Sequence, residues 1–350
     1  MTRDTAFPEL DCYILPGHTQ TPADAIAEAR AAEAAGLGRV WLSERFDVKE
    51  AGAVCGAALA VTERIRVATA ATNLHTRHPL LLATLGSTLH HLSGGRFELG
   101  LARGVGVRDQ MMGLEHVSNA KLADGVRILR TLWKGEKVAG YDGALGRLPY
   151  LSMGDWMDAS IPVHFVGFGP RSLRMAGAHF DGVHLHTFIT HAGLRRARAL
   201  VQEGAEAAGR DPDAVKITTV CATAVDPSRE AFLRKFVARM ATYMQAPGYA
   251  EHLVALNGWD PEVLAAFRAS DAVRAVPGGI DSVATLEQLE AIAPLIPSEW
   301  LPAATGSPED CARYWRAELE HGADSVCIHG STAREFAPAL DAYAKLRDAG

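Results

Sequence analysis

The sequence is poor in cysteine and contains no long apolar or basic run. Its five cysteines lie far apart and form no CxxC pair, which argues against a disulfide framework or a zinc cluster and for a reducing compartment. No stretch approaches the roughly 18 apolar residues of a membrane span, and the N-terminus lacks the apolar core of a signal peptide. Basic residues never run longer than a pair, and the formal net charge is −6. We therefore expect a cytoplasmic protein that binds neither nucleic acid nor membranes.

Apolar residues, in contrast, make up 48% of the 350 residues, so the chain can bury a large core. Short apolar runs alternate with longer amphipathic ones, and eight of the short runs are predicted as strands. They begin near residues 10, 39, 65, 97, 163, 182, 216 and 325. Strands joined by helical crossovers form a parallel sheet, and eight of them can close into a (β/α)8 TIM barrel.

An open, doubly wound sheet is the alternative to the closed barrel. Such a sheet normally carries a dinucleotide fingerprint after its first strand, and Pro16-Gly17-His18 is not one. The barrel is therefore favoured, as a single domain over residues 1–350. Two insertions are predicted: a glycine-rich stretch without periodicity at about 135–160 and a mostly helical one at about 227–300. Thr21 and Pro22 predict the N-cap and first residue of the first helix.

In such a barrel the active site lies on the loops that follow the strands. Polar residues and glycines stand at these positions throughout the chain. They include Gly17 and His18, residues 43–46, 71–79, 103–106 and 167–172, and His186 with Thr187. Their concentration at one rim favours a single composite site for a small-molecule substrate.

The segment after the fifth strand has the clearest chemistry. Pro170 after Gly169 is typical of a helix start, where the backbone amides of Arg171 and Ser172 can bind an anion and the Arg171 side chain adds a positive charge. Gly167 and Gly169 do not complete a dinucleotide fingerprint, because Ser172 occupies the third glycine position. An ordinary helix start with turn glycines is the alternative interpretation.

Two other groups of charged or metal-binding side chains have simpler interpretations. His184 and His186 would share one face of a strand, but carboxylates that could complete a metal site are scarce, so no metal is predicted. Glu44 and Arg45 are the only adjacent acid–base pair at a strand end, where a salt bridge at the rim is the commonest role.

Several segments resemble the bacterial luciferase-like superfamily, in particular its branch that uses the deazaflavin coenzyme F420. The most specific is TNLHTRHP at 72–79, which is similar to TNPYTRHP in methylenetetrahydromethanopterin reductases. Further similar segments are SGGRFELGL at 93–101, GPRSLRMAG at 169–177 with DGV at 181–183, and GSPE at 306–309 with GAD at 322–324. They follow the order of the family, and the resemblance spans about residues 8–345.

The resemblance implies a (β/α)8 barrel with F420 bound over the carboxyl ends of its strands. It also implies a non-prolyl cis peptide near Ala70-Ala71 that supports one face of the cofactor ring. The cofactor-binding residues it predicts are Glu44, Ala70, Ala71, Thr72, Asn73, Gly104, Gly167, Phe168, Gly169, Pro170, Arg171, Ser172, His186 and Thr187. Of these, residues 167–172 would hold the phosphate. The family often forms dimers, so a homodimer is expected.

The chain departs from the sugar and alcohol dehydrogenases of this family at two positions. Arg45 stands in place of their catalytic histidine and Val105 in place of their general-acid glutamate, which disfavours oxidation of sugars and simple alcohols. We predict hydride transfer without the usual acid: reduction of an activated double bond or an imine, or oxidation of a substrate that brings its own base. His18, Glu44 and Arg45 are the predicted catalytic residues, and His75 is a further candidate proton donor.

Two other functions stay open. An FMN-dependent monooxygenase supplied by a separate reductase belongs to the same superfamily, so FMN is the alternative cofactor. A cofactor-binding protein without turnover is consistent with the missing histidine and glutamate.

Overall fold

A computed structural model describes residues 6–17, 21–46, 48–104, 106–155 and 160–348. Eight parallel strands form its centre: β1 (Phe7–Tyr13), β2 (Leu37–Leu42), β3 (Arg66–Thr69), β4 (Phe97–Ala102), β5 (Val163–Val166), β6 (Gly182–His184), β7 (Lys216–Val225) and β8 (Ser325–His329). Each strand pairs with the next along the chain, and β8 pairs with β1. The sheet is therefore a closed barrel, as predicted, and the open-sheet alternative is wrong.

Helices connect the strands and cover the outside of the barrel. They comprise Asp24–Ala34, Ala51–Ala60, Pro79–Leu92, Gly106–Met111, Asn119–Trp133, Pro170–His179, His191–Ala207, Pro308–Glu320 and Ala337–Asp348. Glycine permits the close contact between two of them. A Cβ on Gly177 would lie 2.0 Å from the Val201 carbonyl oxygen, and one on Gly204 would lie 1.9 Å from that of Arg174. No helix among the described residues is long and apolar enough to cross a lipid bilayer.

The first helix begins two residues later than the sequence predicts. It starts at Asp24 with Ala23 as its N-cap, so Thr21 and Pro22 do not occupy the first helical positions. The Thr21 hydroxyl instead accepts a hydrogen bond from the Ala23 amide (3.2 Å), which stabilises the turn before the helix. The Ala25 and Ile26 amides donate to the Pro22 and Ala23 carbonyls (both 3.2 Å), so the predicted helix start is a tighter turn that leads into the helix.

The two predicted insertion segments contain more regular structure than their sequences indicate. The first holds an antiparallel hairpin of Val138–Gly143 and Gly146–Leu151, which Asp124 anchors by accepting hydrogen bonds from the Tyr141 hydroxyl (2.5 Å) and the Ala144 amide (3.2 Å). The second contains Arg229–Phe232, the π-helix Leu233–Val237, Ala238–Gln245, Tyr249–Asn257, Pro261–Ala269, Asp271–Arg274, Ile280–Val283, Leu286–Ile292 and the 3₁₀ turns Ala293–Leu295 and Ser298–Trp300. A short strand, Ala304–Gly306, then pairs with β7. The division into one domain with two insertions stays a prediction.

Candidate active site

The peptide bond between Ala70 and Ala71 is cis, as the family resemblance implied. It follows β3 directly, and the chain then pairs again with β4 through Thr72 and Asn73. The Ala70 amide donates to the Leu42 carbonyl (2.6 Å), and the Ala71 carbonyl accepts from the Glu44 amide (3.4 Å). The peptide is thereby fixed against the end of β2, at the mouth of the barrel.

Glu44 is held in a clamp formed by the segments that follow β2 and β3. Arg77 donates to its two carboxylate oxygens (2.6 and 3.0 Å), the Thr72 hydroxyl donates to Oε2 (2.7 Å) and the Ala51 amide donates to Oε1 (3.1 Å). The Glu44 side chain is only 2% exposed. Its ion-pair partner is Arg77 and not the adjacent Arg45, so the clamp is better suited to fixing the loops than to exchanging protons. A catalytic role for Glu44 stays a prediction.

A cleft of about 540 Å³ runs along the mouth of the barrel. Most of the predicted cofactor-binding residues line it: Glu44, Ala71, Asn73, Gly104, Gly167, Phe168, Gly169, Ser172 and His186. Gly104 has a φ of +82°, and a Cβ there would lie 2.6 Å from Asp109 Oδ2, so this wall requires glycine. Thr72 is buried behind the wall against Glu44, and Ala70 and Thr187 face a second, deeper pocket.

One end of the cleft is cationic. The helix Pro170–His179 begins there with Gly169 as an N-cap that has no side chain to occupy the first amides. Ser172, in its first turn, donates a hydrogen bond to Asn119 Oδ1 (2.9 Å). Arg103 and His252 line the same part of the cleft. Free amides, a helix N-terminus and added positive charge together form a site for an anion such as phosphate.

The charges at this end interact with one another. Burial and the nearby Arg171 lower the pKa of Arg103, and burial followed by Arg103 and Arg171 lowers the pKa of His252. Pro170 begins the helix, and Arg171 is exposed beside the cleft and does not line it. The positive groups repel each other when no anion is bound, so an anion at this end would relieve the repulsion.

A second pocket of about 240 Å³ lies deeper in the mouth and shares a wall with the cleft. The shared wall consists of Ser43, Arg45, Val166, Leu185, His186 and Tyr243. Tyr13 lies in the deeper pocket with its hydroxyl 2.8 Å from His184 Nε2 and 3.5 Å from the Ala70 carbonyl. The cis peptide therefore stands between the two cavities, with Ala71 on the cleft side and Ala70 on the pocket side.

His186 is packed among aromatic rings in the shared wall. The ring centroids of Phe168, Tyr243 and Tyr249 lie 5.4, 4.6 and 5.1 Å from that of His186. Burial lowers the pKa of His186 to about 4, so the imidazole is neutral at physiological pH. A neutral, hydrogen-bonding ring beside a cofactor or substrate can orient it without adding charge.

The predicted proton donors lie in different places. Arg45 lines both cavities, whereas His18 lies outside the described residues. His75 lines neither cavity: its side chain is 5% exposed, and its Nε2 lies 3.4 Å from Asp109 Oδ1. Burial lowers the pKa of His75. Its surroundings identify it as a support for the Gly104 wall.

Five polar residues that line the deeper pocket were not among the predicted site residues: Tyr13, Lys49, Arg239, Tyr243 and His329. Tyr13 and His329 are the last residues of β1 and β8, so the strand-end argument applied to every strand would have found them. Arg239 and Tyr243 come from the second insertion segment, and no periodicity or motif there indicates which side chains reach the barrel mouth.

The barrel, the cleft and the pocket at its carboxyl end define an enzyme scaffold with room for a cofactor and a substrate. Residues 8–325 match the luciferase-like monooxygenase family model, and the chain belongs to this family. A 5,10-methylenetetrahydromethanopterin reductase of Archaeoglobus fulgidus is 25% identical over 286 residues, which cover 80% of this chain and 81% of the relative. An F420-dependent glucose-6-phosphate dehydrogenase of Beutenbergia cavernae is 29% identical over 188 residues, which cover 50% and 54% of the two chains. The chain is thus an enzyme whose homologues include F420-dependent oxidoreductases.

Solved structures share the fold. The coenzyme F420-dependent tetrahydromethanopterin reductase of Methanopyrus kandleri superposes with a TM-score of 0.76 at 18% identity and covers 96% of this chain and 98% of its own. The oxygenating constituent of 3,6-diketocamphane monooxygenase from Pseudomonas putida, in complex with FMN, has a TM-score of 0.66 at 19% identity and covers 96% of both chains. The same barrel is therefore found in proteins of both cofactor types.

Proposed function

We propose that this protein is an F420-dependent oxidoreductase that transfers a hydride between the deazaflavin and a small organic substrate. The observation that carries the proposal is the cleft, which joins a cationic end at Gly169 and Arg103, suited to a phosphate, to the Ala70-Ala71 peptide at the barrel mouth. The F420-dependent relatives support this choice of cofactor.

The residues of the cleft suit a long anionic cofactor with a flat ring. The amides at the start of the helix Pro170–His179 would hold its phosphate, together with Arg103 and His252. Ala71 and Gly104 present little side chain to the middle of the cleft, which leaves space for a ring. F420, when bound, supplies a hydride donor or acceptor at this ring.

The chain's own polar groups then act on the substrate beside the ring. Arg45 and His186 lie in the wall that both cavities share, so they can contact cofactor and substrate together. The Tyr13 hydroxyl lies in the deeper pocket, and burial raises its pKa well above the usual value, which keeps it protonated. Tyr13 can therefore donate a hydrogen bond to a polar group of the substrate in this pocket.

Cofactor titrations test the choice between F420 and FMN. Purified protein is titrated with oxidised F420 and with FMN, and binding is followed by the change in cofactor absorbance and fluorescence. We expect saturable micromolar binding of F420 and at least tenfold weaker binding of FMN. Tight binding of FMN without binding of F420, together with oxygen consumption when reduced FMN is supplied, would instead establish the monooxygenase.

Turnover separates an enzyme from a carrier. Reduced F420 bound to the protein is mixed with a panel of imines and activated alkenes, and its reoxidation is followed at the deazaflavin absorbance band. Reoxidation that requires both protein and substrate supports the proposal. Tight F420 binding with no reaction in either direction across the panel would support a cofactor-binding protein.

We also propose a cytoplasmic homodimer. The five cysteines are buried free thiols, which is consistent with a reducing compartment. Leu81 and Leu92 are 62% and 78% exposed on the same helix outside the barrel, which supports self-association through barrel helices. Light scattering coupled to size-exclusion chromatography measures the mass directly, and a monomer at micromolar concentration would contradict the dimer.

A further inference from the structure

Tyr13 lines the deeper pocket at the point where the cis peptide borders it. It is the last residue of β1 and is 8% exposed. Its hydroxyl oxygen lies 2.8 Å from His184 Nε2 and 3.5 Å from the Ala70 carbonyl oxygen. Hydroxyl donors normally lie about 2.5–3.0 Å from their acceptors, so the Ala70 contact is a long one. Among the described residues, His184 is therefore the close hydrogen-bond partner of this hydroxyl.

The protonation of His184 decides the direction of this hydrogen bond. Burial, followed by the nearby His164 and Arg39, lowers the pKa of His184 well below its usual value, so the ring is neutral and carries a single N–H. Its Nδ1 is buried and has no hydrogen-bond partner in the part of the chain that the structure describes. Buried N–H groups are left unpaired more rarely than buried acceptor atoms. The proton therefore belongs on Nε2, which donates to the Tyr13 oxygen.

The Tyr13 hydroxyl thus keeps its own hydrogen for another acceptor. Its oxygen accepts from a histidine that is fully buried and whose ring centroid lies 4.2 Å from that of Trp41, so the donor is held in place. The Tyr13 ring packs edge-on against His329, with centroids 4.6 Å apart. The distant Ala70 carbonyl is a poor acceptor for the hydroxyl hydrogen, so a ligand oxygen in the pocket can replace it at a shorter distance.

We propose that Tyr13 donates this hydrogen to the carbonyl oxygen of the substrate, and that the substrates are α,β-unsaturated ketones or aldehydes whose C=C bond is reduced. A phenol hydroxyl is an uncharged donor, which suits the uncharged oxygen of a carbonyl group. An oxygen bound to Tyr13 also lies near Ala70, whose peptide bond to Ala71 separates the pocket from the cofactor cleft. This assignment rests on the proposed function, which supplies the hydride, and it makes His184 a positioning residue.

Reduction of such a substrate places negative charge on the oxygen that Tyr13 binds. A hydride from the reduced deazaflavin bonds to the β carbon, and the C=C electron pair moves toward the carbonyl oxygen. The α carbon then takes a proton from water, which is replaced by the proton that the deazaflavin loses on oxidation. A hydrogen bond aimed at the carbonyl oxygen strengthens as this charge develops, so it lowers the barrier more than it improves binding. Tyr13 stays protonated throughout, because burial raises its pKa well above the usual value.

Infrared spectroscopy follows this carbonyl group directly and needs no turnover. 2-Cyclohexen-1-one labelled with carbon-13 at its carbonyl is added to the protein with oxidised F420 and, in a second sample, without cofactor. We expect the C=O stretch of the bound enone to lie at lower frequency than in a hydrocarbon solvent, and to lose this shift in Tyr13→Phe. Tyr150→Phe, at a tyrosine that is 58% exposed on the hairpin, is the matched control and should keep the shift. No shifted band in either wild-type sample would overturn the proposal.

Further variants separate Tyr13 from a competing donor. Arg239 lines the same pocket, and a shift that survives in Tyr13→Phe but disappears in Arg239→Met would overturn the proposal. His184→Gln keeps an N–H that can serve Tyr13, whereas His184→Leu removes it, so the shift should weaken only in His184→Leu. Equal shifts in these two variants would contradict the positioning role.

Circular dichroism confirms that each variant is folded. If Tyr13→Phe does not fold, the double variant Tyr13→Phe/His184→Leu takes its place, because it removes both polar partners together.

Turnover and cofactor binding distinguish this inference from the proposed function. With reduced F420 and cyclohexenone, Tyr13→Phe should lower kcat at least tenfold with a smaller change in KM and an unchanged affinity for F420. An unchanged kcat would overturn the role of Tyr13. A shifted carbonyl band in a wild-type protein that does not bind F420 would contradict only the choice of cofactor, whereas F420 binding without a shifted band would contradict only this inference.

Discussion

The two ends of the barrel both contain buried charged groups, but they balance them differently. At the amino ends of the strands, Arg39 forms ion pairs with Asp11 (3.3 Å) and Glu98 (2.9 Å), and His164 donates to Glu98 (2.8 Å). At the carboxyl ends, Arg239 lies 3.2 Å from His329 Nε2 and 3.5 Å from the Tyr243 hydroxyl, and burial lowers the pKa of His329. The buried arginine of the amino end is therefore paired with carboxylates, whereas Arg239 at the carboxyl end is held by an imidazole and a hydroxyl group.

The pKa shifts at the amino end fit this description. Burial alone would raise the pKa of Glu98, but Arg39 and the hydrogen bond from His164 outweigh it and hold the pKa well below the usual range. Asp11 is fully buried, and burial raises its pKa by more than the nearby Arg39 lowers it. Glu98 is thus the principal anion of this network, and it stabilises the fold.

The largest predicted effect comes from removing that anion. Glu98→Gln removes the carboxylate that Arg39 and His164 share and leaves Arg39 with only its longer pair to Asp11; breaking a buried pair typically costs about 3–5 kcal/mol. We expect a loss of this size in the free energy of unfolding, measured by urea denaturation at pH 7. Glu290→Gln, which breaks the exposed pair with Arg229, is the control and should have no measurable effect. Equal stability of the two variants would show that the network is not structural.

The pH dependence of this effect follows from the same shift. Because the pKa of Glu98 is lower in the folded state than its ordinary value of 4.5, its stabilisation is complete above pH 4.5 and is lost as the pH falls further. The difference in stability between wild type and Glu98→Gln should therefore shrink only below about pH 4.5. A difference that already declines between pH 7 and 5 would contradict this assignment.

A smaller effect, in a different pH range, is predicted at the carboxyl end. Burial holds the pKa of His186 at about 4 in the folded protein, below its ordinary value of 6.5, so the unfolded chain binds a proton first as the pH falls. The fold should lose up to about 3 kcal/mol from this group between pH 6.5 and 4. His186→Gln should reduce the slope of the melting temperature plotted against pH between pH 6.5 and 4. His184 and His329 still contribute to that slope, because burial lowers their pKa values as well. An unchanged slope would mean that His186 is protonated in the folded protein.

The smallest predicted change in stability accompanies a change in binding. A Cβ on Gly169 would be 3.8 Å from Ser172 Oγ and 3.9 Å from the His252 ring, so a side chain fits there, and the backbone conformation is ordinary. Gly169→Val should melt within a few degrees of wild type but bind F420 at least tenfold more weakly, because the valine blocks the approach to the first helical amides. Fluorescence titration measures the affinity, and Gly56→Ala, in a helix outside the cleft where a Cβ would lie 3.5 Å from Leu89, is the control. Unchanged affinity would place the phosphate elsewhere.

The sequence predicts the barrel well because alternating apolar runs are a local signal. The eight predicted strands occur, and the family motifs placed the cis peptide at Ala70-Ala71. The hairpin of the first insertion escaped prediction because its buried positions, Val138, Leu148 and Leu151, are widely spaced among exposed residues. The hairpin is held by hydrogen bonds to Asp124 in the helix Asn119–Trp133, and a local sequence pattern does not indicate such contacts.

The cofactor cleft was predicted better than the substrate pocket, for a physical reason. Residues 167–172 and the Ala70-Ala71 peptide belong to barrel loops, whose positions follow from strand order. Arg77 and Arg239 act through partners distant in sequence: Arg77 is 33 residues from Glu44, and Arg239 is 90 residues from His329. A single sequence does not contain such pairings, so neither the Glu44 clamp nor the contacts of Arg239 in the deeper pocket could be predicted from it.

Closure of the barrel also requires pairing between two strands at opposite ends of the chain. Leu10 in β1 pairs with Val326 in β8, so one edge of β1 can be paired only after β8 has been synthesised. During synthesis β1 has only β2 beside it until residues 325–329 have emerged from the ribosome, and its other edge can meanwhile pair with a foreign strand. We therefore expect this edge of β1 to stay unpaired in the nascent chain until residues 325–329 are available.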